Sequence, residues 1–365
     1  MADIRSLGQS DLDTIIKIAA ELRTNRRYED MEALLRVAVA LAPTSAATYH
    51  NLGGAYKILG RLEEAEICAR QALTLEPSLA VVRHALGIVL LSQGRYQEGF
   101  EYYEARHEIP SLGNPKPNLN FPEWKGEPIE GKSLVILPEQ GFGDSIQFVR
   151  FAQALEAKGA RVAVVAKPEL ETLFTQSLKC NVLGAQHDLS VLTPDYWALS
   201  SSLAWRLGLE LSDIQGGPYL PATPRAAMVD TPRRIGVVTR GAPIHANDAN
   251  RSLAPDMQDL VMSLPGDLVS LHSDDTKAKS FAETAAMIDG LDLVISVDSA
   301  VAHLAAAMGK PTWVMIPAAN TDWRWGRFGA RTPWYDAMRL FRQPTLGDWR
   351  TPISDMRAQL ERGEI

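Results

Sequence analysis

The chain is poor in several features that mark specialised proteins. It has only two cysteines, Cys68 and Cys180, among 365 residues. They are lone and far apart with no metal-ligand spacing, so neither a disulfide framework nor a cysteine metal site is expected, and both read as reduced packing residues. No block of lysine and arginine occurs and the formal net charge is −7, which argues against nucleic acid as the main partner. No apolar run approaches the length that spans a bilayer, and the opening Met-Ala-Asp-Ile-Arg-Ser has no secretory character. A cytoplasmic location is the expectation. The hydrophobic fraction of 46% and charged fraction of 22% are ordinary, and at this length they describe two or three domains with a sizeable core.

What is present begins with a repeat. Leu52, Gly53, Tyr56, Gly60, Ala65 and Ala72 recur 34 positions later as Leu86, Gly87, Leu90, Gly94, Gly99 and Arg106, and Pro77 recurs as Pro110. Laid backwards, the same grid finds Ile18, Ala19, Leu22, Met31, Ala38 and Pro43. This resembles the tetratricopeptide repeat, a helical hairpin in which small residues let two helices touch and proline ends the second. Residues 1–110 are therefore expected to be a helical array. Its groove would hold a partner or simply brace the next domain, with Asn51, Lys57 and Arg83 as candidate lining residues. Tyr102, Tyr103, Arg106 and His107 look like a docking surface toward the following domain.

Residues 111–132 read as a linker, because Ile109 to Lys132 holds five prolines and three glycines with little periodicity. Beyond it short apolar strands alternate with helices, which predicts parallel sheets covered on both faces. The expected halves are residues 133–225 and 226–365, with a cleft between them. In the first half, strand Leu134 to Leu137 leads through Gly141 and Gly143, read as a tight turn, to a helix from Asp144 to Lys158. That order puts Asp144 at the mouth of the sheet, a candidate catalytic group and equally a candidate helix cap. Gln140 lies beside it as a candidate acceptor contact.

In the second half a strand ends at Asp298 and a helix begins at Ser299, whose amides and dipole suit a diphosphate. His303, one turn in, could donate to a phosphate or ribose oxygen, and Arg251 could clamp the diphosphate. The plainer alternatives are a cap at Asp298, a packing histidine and a solvated loop arginine. Asp322-Trp-Arg-Trp325 with Trp334-Tyr335 would serve stacking or domain packing. Asp274-Asp275 is the acidic pair nearest the right place, and one pair is weak grounds for a metal; none is expected.

With these motifs in view the chain resembles bacterial tetratricopeptide-repeat proteins whose C-terminal part is a heptosyltransferase-like (family 9) glycosyltransferase. The motifs that carry the likeness are the repeats, Phe-Pro-Glu-Trp-Lys-Gly from Phe121, Glu139 to Arg150, Asp298 to Pro311, and the tail with Trp334 to Gln343 and Gly347-Asp-Trp349. The resemblance implies a helical array followed by a GT-B fold, two Rossmann-like domains facing a cleft. It implies that Asp144 is the general base, that Asp298 and His303 lie on the donor motif, and that Arg251 is the basic group over the donor phosphates. The domain order is similar to that of O-GlcNAc transferases and flagellin glycosyltransferases, where repeats select a protein acceptor. The implied activity is inverting transfer of a hexosyl, heptosyl or nonulosonic acid unit from a nucleotide-sugar to a hydroxyl, with no cofactor. Two features depart from the family: Thr239 stands where a tryptophan is usual, and the segment from Ser270 to Ala285, which normally shapes the nucleobase pocket, is short. A non-catalytic scaffold that binds a protein partner is the alternative they suggest.

Overall fold

The computed structural model describes residues 9–221 and 233–365. The expected boundary at 225/226 lies outside the described residues. The chain divides into two compact units, one running to Pro115 and taking in Ala318–Arg327, the other made of Lys116–Pro317 and Phe328–Ile365.

The first unit contains three helical hairpins, α1 (Gln9–Thr24) with α2 (Tyr28–Leu41), α3 (Ala46–Ile58) with α4 (Leu62–Leu75), and α5 (Ala80–Ser92) with α6 (Tyr96–Tyr103). Glycine permits the close approach within the second and third pairs. A Cβ on Gly87 would stand 2.6 Å from the Tyr103 nitrogen and one on Gly53 3.2 Å from Cys68 Cβ. The turns at Gly60 and Gly94 have φ of 71° and 79°, and Arg26, at the same grid position of the first hairpin, is held at 57°. A further repeat escapes a reading based on apolar residues: Arg27, Arg61 and Arg95 precede the second helices and each reaches the acid three residues on, Asp30, Glu64 and Glu98. Arg106 is fully buried within this unit, bonded to Glu104 at 2.6 Å.

Residues Ala318–Arg327 belong to the same unit. Ala319 joins the apolar cluster of the first hairpins, and Trp323 meets Phe100 and Tyr96 edge-on at 5.5 and 6.1 Å. The Asn320 amide donates to the Ile58 carbonyl at 2.8 Å, and Arg327 pairs with Glu63 at 3.1 Å.

The second unit begins with β1 (Ser133–Leu137), α7 (Phe142–Phe148), α8 (Arg150–Ala157), β2 (Arg161–Ala166), α9 (Pro168–Ser177), β3 (Asn181–Gly184), β4 (Tyr196–Leu199) and α10 (Leu203–Arg206). It continues with β5 (Arg234–Val238), α11 (Asp248–Arg251), α12 (Pro255–Met262), β6 (Asp267–Ser270), α13 (Ser273–Thr276), α14 (Phe281–Asp289), β7 (Leu293–Val297), α15 (Ala300–Ala307), β8 (Thr312–Ile316), β9 (Met338–Arg342) and α16 (Arg350–Glu361). The strands form two sheets, ordered β3-β2-β1-β4 and β6-β5-β7-β8-β9, with every pairing parallel. Strands β7 and β8 are buried at every position, as continuous apolar strands in a sheet covered on both faces should be. Strand order reverses between β1 and β4 and between β5 and β7, so each sheet opens a crevice at the carboxyl ends of those strands.

The helix expected from Asp144 to Lys158 is two helices. Arg150 Nε donates to the Gln147 carbonyl at 2.9 Å, taking an acceptor that an uninterrupted helix would give to a backbone amide.

Candidate active site

The first crevice is built by the loop after β1. Glu139 is buried, and its Oε2 accepts the Ser201 amide proton at 3.0 Å, joining the β1 and β4 loops across the reversal point. Asp144 is not the helix cap: Gly141 occupies that position, and Asp144, in the first turn, accepts the Gly141 amide proton on Oδ2 at 2.8 Å. The capping bond therefore runs backwards and holds the carboxylate over the turn. Gln140 has a φ of 29° and its carbonyl accepts from Lys167 Nζ.

Lys167 was not singled out in the sequence. It follows β2 directly, at the carboxyl end where parallel sheets place ligand groups, which was the available signal. Its ammonium lies 5.6 Å from the Phe142 ring centroid. Burial holds its pKa below the usual lysine value, opposed by the charges of Asp144, Glu169 and Glu139.

The second crevice repeats the arrangement with the opposite charge. Arg251 is buried rather than solvated, on the one-turn helix α11; its Nη1 donates to the Asp298 carbonyl at 2.8 Å, and its Nε pairs with Asp248 at 3.2 Å. Gly241 leaves room for it, since a Cβ there would stand 2.4 Å from Arg251 Nη2. Asp298 precedes the cap of α15. The cap is Ser299, extended at φ −150° and without a side-chain cap bond, its hydroxyl 2.9 Å from that of Ser296.

His303 ties the crevices together. It is buried, and a Cβ on Gly143 would lie 2.8 Å from its Cδ2. Neither Gly141 nor Gly143 has a positive φ. Gly143 is thus required by the imidazole packed on it, and the turn itself does not need it. Phe142 packs on Phe281 at 5.1 Å between centroids, beside the same junction. The structure therefore brings Asp144, Asp298, Ser299, His303 and Arg251 to facing crevices of one unit.

The remaining candidates lie elsewhere or are engaged. Asn51 and Lys57 line a cavity of about 280 Å3 in the helical unit, which Asn320 also lines. Lys57 donates to Asn320 Oδ1 at 2.5 Å, and burial lowers its pKa. Arg83 is paired with Glu108. Asp274 pairs with Arg240 at 3.2 Å and Asp275 accepts from the Ser270 hydroxyl at 2.6 Å, so neither acid of that pair stands alone. Thr239 donates its amide proton to His272 Nε2 at 3.1 Å.

Residues 278–325 match the model of glycosyltransferase family 9 (heptosyltransferase). Residues 46–79 match the tetratricopeptide repeat. Protein FlbA of Caulobacter vibrioides is 25% identical over 329 residues, covering 74% of this chain and 54% of that protein. The chain thus spans about half the length of this relative. Among solved structures, that of MamA is 26% identical over 27% of this chain and 58% of its own, with a TM-score of 0.26. The TPR2B domain of yeast Sti1 in complex with pHsp70 is 16% identical over 28% of this chain and 86% of its own, with a TM-score of 0.27. A tetratricopeptide-type helical array followed by two parallel sheets is consistent with a GT-B-like architecture, and the stretch similar to family 9 takes in β7, α15 and β8. Among the described residues no helix is long and apolar enough to cross a membrane.

Proposed function

We propose that the α/β unit is an inverting, metal-independent glycosyltransferase that moves a hexosyl, heptosyl or nonulosonic acid unit from a nucleotide-sugar to a hydroxyl, in the cytoplasm. The observation that carries this reading is the contact of His303 with Gly143, which sets the donor-type helix terminus against the turn bearing Asp144. Asp144 takes the proton of the acceptor hydroxyl. The oxygen attacks the anomeric carbon from the face opposite the diphosphate, and the bond to the diphosphate breaks. The first-turn amides of α15, with Arg251 and His303, take up the developing phosphate charge, so no metal or cofactor is needed for that step. Asp298, whose carbonyl is fixed by Arg251, shapes the donor side.

The acceptor in this reading is a protein, such as flagellin, recruited by the helical array, with Asn51, Lys57 and Arg83 as its contacts and Gln140 on the acceptor side of the turn. Calorimetry with nucleoside diphosphates tests the donor half: wild type should bind, and Arg251→Ala should lose about 1.5–3 kcal/mol, the scale of hydrogen bonds to a charged group. A second reading, a scaffold without catalysis, is favoured by the short segment from Ser270 to Ala285, in which α13 is a single turn. Absence of binding by wild type at millimolar nucleotide would select it.

A further inference from the structure

The peptide that joins Gln140 to Gly141 is held at both of its polar ends. Its oxygen, the Gln140 carbonyl, accepts from Lys167 Nζ, and its N–H donates to Asp144 Oδ2 at 2.8 Å. Like every peptide among the described residues it is trans, so the oxygen and the N–H point to opposite sides and the ammonium faces the carboxylate through it. The two side chains come from different strand ends. Lys167 follows β2 as the N-cap of α9, and Asp144 lies in the first turn of α7, beyond β1. The ammonium also lies over the ring of Phe142, the residue after Gly141. Gln140, at φ 29°, has a left-handed conformation that residues other than glycine adopt at a cost, and the bond to its carbonyl helps to hold it there.

We infer that Lys167 is a positioning residue for Asp144, acting through the Gln140–Gly141 peptide. An ammonium on a carbonyl oxygen draws electrons from the amide, and an amide polarised in this way is the stronger donor at its N–H. That N–H fixes Asp144 Oδ2, so the lysine tightens a hydrogen bond that it does not itself make. It also fixes the plane of the peptide, and with it the direction in which the carboxylate is held. Both effects need a cationic donor at this point. Burial lowers the Lys167 pKa, and the charges of Asp144 and Glu139 from the β1 side and of Glu169 from α9 oppose that fall. The inference rests on the proposed function for the proton that Asp144 takes, and on the two hydrogen bonds for the rest.

The test is nuclear magnetic resonance of the full chain labelled with carbonyl carbon-13 glutamine and nitrogen-15 glycine. The sequence has three Gln–Gly pairs, at Gln93, Gln140 and Gln215, and Gln140→Asn removes the signal in question. In Lys167→Met the Gln140 carbonyl carbon and the Gly141 amide proton should both move to higher field, the second because its bond to Asp144 weakens; Lys167→Arg should stay near wild type. A Gly141 amide proton that keeps its wild-type position in Lys167→Met overturns the inference. With whichever of ADP-, GDP-, UDP- or dTDP-glucose wild type hydrolyses, Lys167→Met should lower kcat about tenfold, the effect of one hydrogen bond, with KM unchanged, and Lys167→Arg should recover most of it. Equal kcat in Lys167→Met and wild type also overturns it. If Lys167→Met does not fold, titration of wild type decides: the Gln140 carbonyl signal should step at a pH below 10.5, the usual lysine value, and the lack of a step overturns the inference. These shifts in a wild type that binds none of ADP, GDP, UDP or dTDP at millimolar concentration keep the inference and defeat the glycosyl-transfer reading.

Discussion

Gly87 and Gly143 stand in similar company, each beside a helix, yet they do different work in the two units. A Cβ on Gly87 would strike main-chain atoms of Tyr103 and Gly99, which are fixed by the helix ladder. On Gly143 it would strike the edge of the His303 ring, a side chain brought from 160 residues away. In the array the small residue serves a contact between neighbours in the chain, so the requirement repeats with the hairpin and shows as a period. In the α/β unit the contact is made once, between motifs remote in sequence, and leaves no period. The array is specified by local repetition and the crevices by long-range pairing, and each can be perturbed separately.

The largest effect should come from the crevice side. Asp144→Asn keeps an oxygen able to accept the Gly141 amide proton, but it cannot take a proton as a carboxylate does. Transfer from the nucleotide-sugar should fall about a hundredfold or more, with donor affinity and melting temperature nearly unchanged. Wild-type turnover in this variant would remove Asp144 from the mechanism.

Next comes the array under acid. Burial, then Arg106, Lys57 and His50, push the His84 pKa down to about 4. The unfolded chain, with a histidine near its ordinary value of 6.5, binds that proton first, so the array's stability is complete above about pH 6.5 and falls as the pH drops toward 4. Urea melts should show about 2–3 kcal/mol lost between pH 7 and 4.5 from this group, and His84→Gln should flatten that part of the profile. The same slope in both proteins would assign the acid sensitivity elsewhere.

The glycines give the direct comparison. Gly87→Ala should cost about 3 kcal/mol, because backbone must move, and Gly143→Ala about 1–2 kcal/mol, because a ring edge can shift. Gly143→Ala should in addition weaken nucleotide binding, which Gly87→Ala should leave alone; calorimetry and melting curves on both variants separate the two. The smallest effect is expected at Arg26, held at φ 57° where the later hairpins have glycine. Arg26→Gly should stabilise the array by about 0.5–1 kcal/mol by relieving a left-handed conformation, and a loss of stability would show that the arginine side chain outweighs the strain.

The same contrast explains what could be read from the sequence. The 34-residue grid located all three hairpins, and the apolar run at Leu134 to Leu137 located β1 to within a residue. The glycine turn and the stretch from Asp298 to His303 were legible because a parallel sheet leaves ligand groups at its carboxyl ends. The Tyr335 hydroxyl, 2.8 Å from His303 Nδ1, was not, since nothing in a string of residues says which of several tyrosines reaches an imidazole. The aromatic tail read as one cluster is in fact divided: Trp323 packs on Tyr96 and Phe100 in the helical unit, while Tyr335 meets His303 in the α/β unit. Lys167 sat in an unremarkable Ala-Lys-Pro, and Arg251 in a polar loop gave no sign of being buried.

The insertion of Ala318–Arg327 into the helical unit sets an order of events during synthesis. Lys57 meets Asn320 across 263 positions of chain, so the hairpins leave the ribosome long before the segment that completes them. At about 5–20 residues per second, that interval is some tens of seconds, during which the faces later covered by Ala319 and Trp323 are open to water. The hairpins are made before the α/β unit, yet they are finished only after most of it has been made.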